Sequence, residues 1–208
     1  DLSRYPLDLD TEGALAEILE GNKTLTTVSL RSFRNIEDDD VCRKAEEVFK
    51  LLGKTPTLKE FTWWEWDLKR ALPMEAAVGL LNKVERIRFM EKTSFSFRIA
   101  KGLTGHYPAL DILLTHVIID QGVMDSISFP EWLKFFSYCT RLKVLNLRAC
   151  NIGDSLKDST SLGPALLSYS SLEELTLSDN KLFNSILLME EFPTLLPSDL
   201  VADPLVIA

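Results

Sequence analysis

The chain has 208 residues, 46% of them hydrophobic and 26% charged, with a formal net charge of −8. That length is enough for one domain with a sizeable buried core. The acidic balance opposes wrapping of phosphate backbones, and no run nears about 18 consecutive apolar residues, so neither nucleic-acid binding nor membrane insertion is expected.

Apolar spacing carries most of the information. Leucine occurs 36 times, often at fixed intervals. Leu2, Tyr5 and Leu7 form a truncated first copy of a short apolar pattern. Ala14, Leu15, Ile18 and Leu19 follow at helical spacing. Leu25, Val28, Leu30 and Phe33 repeat the first pattern. Val41, Ala45, Val48, Phe49 and Leu52 then make a helical stripe, with Asp38 to Asp40 at its start, where acidic residues cap the helix and suit its dipole. Leu58, Phe61, Trp63, Trp66 and Leu68 keep the short pattern with aromatics. Met74, Ala77, Val78 and Leu81 predict the next helix, and Val84, Ile87 and Phe89 the next strand.

Around residues 109–117 two registers fit: Leu110, Leu113 and Thr115, or Ala109, Ile112 and Leu114. Ser128-Phe-Pro-Glu131 reads as a capping box before a helix through Trp132, Leu133 and Phe136. The segments after Phe95 and after Leu162 give no clear pattern. The two most complete copies come last. They are Leu142-Lys-Val-Leu145-Asn-Leu147-Arg-Ala-Cys150-Asn-Ile152 and Leu172-Glu-Glu-Leu175-Thr-Leu177-Ser-Asp-Asn180-Lys-Leu182. From Asn184 onward the pattern is lost, and Pro193, Pro197 and Pro204 interrupt short apolar pieces.

These copies match L-x-x-L-x-L-x-x-N/C-x-L, and the chain resembles the leucine-rich-repeat proteins. A strand, a loop and a full helix in about 28 residues resemble the ribonuclease-inhibitor-like subclass, found in ribonuclease inhibitor, Ran GTPase-activating protein, tropomodulin and innate immune receptors. The resemblance implies an α/β solenoid shaped as a curved horseshoe, with parallel strands on the concave face and helices on the convex face. Residues 1–185 would form six to seven irregular repeats, and 186–208 a C-terminal cap or an irregular tail. No unit can bury its own apolar face, so stability comes from stacking neighbours.

Side chains between the leucines would project from the concave face, because they alternate along a strand. The outward set is Thr27, Ser29 and Arg31; Glu60, Thr62 and Trp64; Arg86, Arg88 and Met90; Ile112, Leu114 and His116; Val144, Asn146 and Arg148; Glu174, Thr176 and Ser178. The middle copies mix apolar and basic groups, the composition of an interaction hot spot. Trp64, Arg86, Arg88, Met90, Leu114, His116, Val144 and Arg148 are therefore the candidate partner-binding residues, for a protein that is acidic at its contact surface. The bland alternative is that Trp64 packs on a neighbouring strand and the arginines pair with nearby glutamates.

Catalysis, cofactors and metals are not expected. His106 and His116 sit in no triad or metal spacing, and no C-x-x-C, H-E-x-x-H or G-x-S-x-G occurs. Lys101-Gly-Leu-Thr-Gly105 lacks phosphate-loop spacing. The three cysteines, Cys42, Cys139 and Cys150, are odd in number and far apart, which suits free, buried thiols in a reducing compartment. Cys42 falls in the first turn of a predicted helix, beside opposing carboxylates. Asn22-Lys23-Thr24 matches a glycosylation sequon of a kind that arises often by chance. No signal peptide is visible, and a cytoplasmic protein is the expectation. The leading functional reading is a non-catalytic protein-interaction scaffold. The alternatives are a regulatory subunit of the GTPase-activating type and a structural subunit of a large assembly.

Overall fold

A computed structural model describes residues 2–7, 9–33, 39–64, 79–91, 94–95, 101, 112–124, 127–155 and 171–180. Trp66 and Leu68, the predicted helix start at Met74 to Val78, the pieces after Phe95 and after Leu162, and the tail from residue 186 lie outside the described residues.

Strand and helix alternate up to β3 (Glu60–Trp64) and again from β7 (Val123–Met124) onward, while the described elements between are all strands. In chain order they are β1 (Leu2–Leu7), α1 (Leu9–Gly21), β2 (Thr27–Phe33), α2 (Asp39–Lys54), β3 (Glu60–Trp64), β4 (Arg86–Met90), β5 (Ser94–Phe95), β6 (His116–Asp120), β7 (Val123–Met124), α3 (Ser128–Ser137), β8 (Val144–Arg148), α4 (Ile152–Ser155) and β9 (Glu174–Thr176). Among the described residues, seven strands form one parallel sheet in the order β1-β2-β3-β4-β6-β8-β9. Strands β5 and β7 pair separately. Spatial order in this sheet thus follows chain order.

Register is continuous from β2 to β9. Val28, Phe61, Ile87, Val117, Leu145 and Leu175 align as one row across the sheet. Leu30, Trp63, Phe89, Ile119 and Leu147 align as the next. All of these are buried except Leu175, which packs half-buried against the core. Leu145 and Leu175, the equivalent leucines of the two clearest copies, are direct partners. β1 joins the edge with two register shifts, consistent with an incomplete copy.

One backbone device recurs at each step. The carbonyls of Thr26, Lys59, Glu85, Thr115 and Lys143 each accept two amides from the following unit, for example Lys143 and Val144 on Thr115 at 2.9 and 3.0 Å. Beyond the strand, Glu91, Gln121, Ala149 and Asp179 hold φ of 49, 58, 53 and 61°. All four occupy the same place in their units. This left-handed residue turns the chain off the sheet. Its amide then bonds forward: Glu91 to Asp120, Gln121 to Arg148, Ala149 to Ser178.

The helices cover the buried face. Val48, Phe49 and Leu52 of α2 are fully buried, as the predicted stripe requires. Phe49 stacks on Trp63 at 4.6 Å and meets Phe61 edge-on at 5.9 Å. In α1, Leu15 and Leu19 are buried while Ile18 stays exposed, so that stripe is narrower than its spacing suggests. A Cβ on Gly53 would lie 2.9 Å from the Gly79 carbonyl carbon, so α2 approaches the next segment where only glycine fits.

Two expectations need correction. Ser128 does not cap α3: the cap position is Ile127, in a helical conformation with no side-chain cap bond, and Ser128 is buried inside the helix. Burial of Phe129, Trp132, Leu133, Phe135 and Phe136 holds this helix instead, and packing outweighs a cap. Neither register proposed for residues 109–117 is the observed one. The copy starts at Leu114 and continues through Val117 and Ile119, all three fully buried.

Candidate functional site

The other face of the sheet carries three rows of outward side chains. The first runs Thr27, Glu60, Arg86, His116, Val144, Glu174. The second runs Ser29, Thr62, Arg88, Ile118, Asn146, Thr176. The third runs Arg31, Trp64, Met90, Asp120, Arg148. Alternation along each strand produces the arrangement, since the residues between them are the core rows already described.

Of the eight candidates, Trp64, Arg86, Arg88, Met90, His116, Val144 and Arg148 lie on this face, and Leu114 does not. Leu114 has 0% exposure and Ile112 only 6%, because both belong to the core side of their unit. Ile118 and Asp120 take the two outward places instead. Sequence reasoning missed them, although the spacing Leu114-x-x-Val117-x-Ile119 carried the signal in β-branched form.

Neighbouring strands hold the outward groups in place. The Trp64 indole N–H donates to Ser29 Oγ at 3.0 Å across the β2–β3 pair, and the ring is half-buried. Trp64 does rest on a neighbouring strand, with some of its surface still presented to solvent. Arg88 Nε lies 2.9 Å from Glu60 Oε1, a charge contact whose N–H is not aligned for a hydrogen bond. Arg148 bridges Asp120 at 3.4 Å and Asp179 at 2.9 Å. Arg31 reaches Glu91 at 3.7 Å. Ion pairs this exposed orient side chains more than they stabilise the fold, at about 0–1 kcal/mol each.

Arg86 is exposed and makes no ion pair among the described residues. Its register partner on the next strand is His116, half-buried near the middle of the sheet. His116 Nδ1 sits 2.8 Å from Thr115 Oγ, which also lies 3.0 Å from the Glu85 carbonyl. Burial and then the Arg86 charge hold the His116 pKa below its ordinary 6.5. Arg88 adds to this, and Glu174 and Glu173 oppose it.

Half-buried Trp64, Met90, Ile118 and Val144 therefore stand between cationic and anionic groups whose positions are fixed by pairing. Such a surface brings apolar side chains and oriented charge together on one face. Among the described residues no group of three or more His, Cys, Asp or Glu could hold a metal ion. Cys139 and Cys150 lie in the core, and burial pushes both thiols up to about 12. The side chain of Cys42, in α2, is outside the described residues.

No family model matches the chain, and no curated protein matches it. Among solved structures it is similar to the tropomodulin C-terminal domain of Caenorhabditis elegans, with a TM-score of 0.43 and 9% sequence identity over 86% of this chain and 90% of that chain.

Proposed function

We propose that the protein is a leucine-rich-repeat solenoid serving as a non-catalytic scaffold, and that it binds a protein partner through the exposed face of its sheet. One observation carries this reading. Strands β2 to β9 present outward rows in register, with Trp64, Met90, Ile118 and Val144 set among Arg86, Arg88 and Arg148. Trp64, Ile118 and Val144 are half-buried there, and apolar side chains set among arginines are the composition of a contact surface. A cytoplasmic location belongs to the same reading, since two described cysteines are buried free thiols.

The test is affinity capture with the wild-type chain and a Trp64→Ala/Arg88→Ala double variant, read by mass spectrometry and paired with thermal melts. A partner retained by the wild type and lost by the folded double variant supports the reading. A partner retained equally by both would move binding away from this face.

A further inference from the structure

Resting on that reading of the face, we infer that its partner contributes an acidic peptide segment, and that a carboxylate of this segment is received jointly by Arg86 and protonated His116. The argument begins with register. Arg86 and His116 are paired residues on adjacent parallel strands, so their side chains rise side by side from the same face. Arg86 has no ion-pair partner among the described residues, whereas Arg88 in the same strand leans on Glu60. Glu60 faces Arg86 across the β3–β4 pair but is engaged by Arg88, so a guanidinium with no ion pair among the described residues stands beside a titratable ring, an incomplete site for an anion.

His116 can take up the proton this requires without losing a bond. The Glu85 carbonyl can only accept, and Thr115 Oγ lies 3.0 Å from it, so the hydroxyl proton has that acceptor. Thr115 Oγ, 2.8 Å from Nδ1, is then ready to accept from the ring N–H of an imidazolium. Nε2 is left as the nitrogen that gains the proton. The neighbouring charges are Arg86 and Arg88 from β4, Glu173 and Glu174 at β9 beyond β8, and Lys143, which is tied to Glu173 at 2.7 Å. On β8 the residue facing His116 is Val144, which brings no charge.

In the free protein burial and then the Arg86 charge hold the ring's pKa below its ordinary 6.5, disfavouring the cation. A carboxylate placed between the two side chains offsets Arg86 and favours the cation, so binding draws in a proton and strengthens as pH falls. Apolar residues beside that carboxylate would meet Ile118 and Val144, which flank His116 in the register.

The experiment measures fluorescence anisotropy of two labelled peptides on the purified full chain at about pH 7.5 and about pH 5.5, where glutamate stays ionised. One peptide alternates Glu with Phe, the other Gln with Phe. The wild type is expected to bind the acidic peptide about fivefold more tightly at the lower pH, the size of one well-placed surface charge pair. The Gln peptide should show no such gain. Arg86→Gln should weaken the acidic peptide at both pH values, and in His116→Gln the ratio between the two pH values should collapse to about one. An equal pH gain in His116→Gln, or no gain in the wild type, overturns the inference. Equal binding of the two peptides, weakened alike by Trp64→Ala, overturns the acidic partner and leaves the interaction face standing. A captured partner indifferent to Trp64→Ala removes the face itself.

Discussion

Asn180 Oδ1 accepts the backbone N–H of Cys150 at 2.7 Å, and these two residues hold the same place in successive units. Asn180 also accepts the Ile152 amide at 3.3 Å and donates from Nδ2 to the carbonyls of Leu147, Leu177 and Ser178. It is 2% exposed. Cys150 fills the same role in the preceding unit, with Sγ 3.4 Å from the carbonyls of Ile119 and Arg148 and with the Gly122 amide on its sulfur. Asn180→Ala strands several buried backbone groups at once, each costing about 1–3 kcal/mol. A loss of about 3 kcal/mol in urea unfolding is expected. A loss below about 1 kcal/mol would mean that water replaces the amide.

Ala149 makes its turn with a left-handed backbone at φ 53°, where a Cβ is crowded. Ala149→Gly should raise stability by about 0.5–1 kcal/mol, read from the denaturant midpoint. Relief of that strain exceeds the extra chain entropy that glycine brings. A lower midpoint would contradict the assignment of strain to this position.

Gly53→Ala should act in the opposite direction. Its new methyl carbon would meet backbone of Gly79 at 2.9 Å, and backbone cannot swing aside as a long side chain can. Overpacking of this kind costs about 1–3 kcal/mol. A thermal melt unchanged from wild type would show that α2 shifts freely.

Alkaline pH should unfold the chain through its core thiols. Burial raises Cys139 and Cys150 to about 12 from 9.0, so the unfolded chain releases these protons first. Their contribution to stability is complete below pH 9 and is lost as pH rises toward 12. Urea midpoints taken between about pH 8 and pH 10.5 should fall. The fall should be shallower in Cys139→Ala, whose removed thiol no longer titrates. Equal slopes in the two proteins would show that Cys139 is not the group responsible.

Trp64→Ala should weaken partner binding by about 2 kcal/mol or more, as truncated aromatic anchors do. Trp64→Phe separates two contributions, because it keeps a ring and loses the N–H to Ser29. If Phe restores binding, ring area matters; if it does not, the orientation set by Ser29 does.

Strand positions were legible where leucine or an aromatic marks every core place, as at Leu142, Leu145 and Leu147 or Phe61 and Trp63. They were misread where apolar residues run together. Ile112, Leu113, Leu114, Val117, Ile118 and Ile119 allow several frames, and only pairing with Ile87 and Phe89 selects one. That choice put Leu114 inside and Ile118 outside: the spacing Leu114-x-x-Val117-x-Ile119 allowed this frame but did not single it out from its competitors. The ion pairs of Arg88 and Arg148 were hidden for a different reason. Their partners lie 28 to 31 residues away, a full unit along the chain, and become neighbours only through the sheet.

The forward bonds from Gln121 to Arg148 and from Ala149 to Ser178 tie each turn to the next one. Pulled from its two ends, such a molecule bears load one rung at a time. It should lengthen like a zip opening, at low force and in steps of one unit, instead of resisting until everything gives way together.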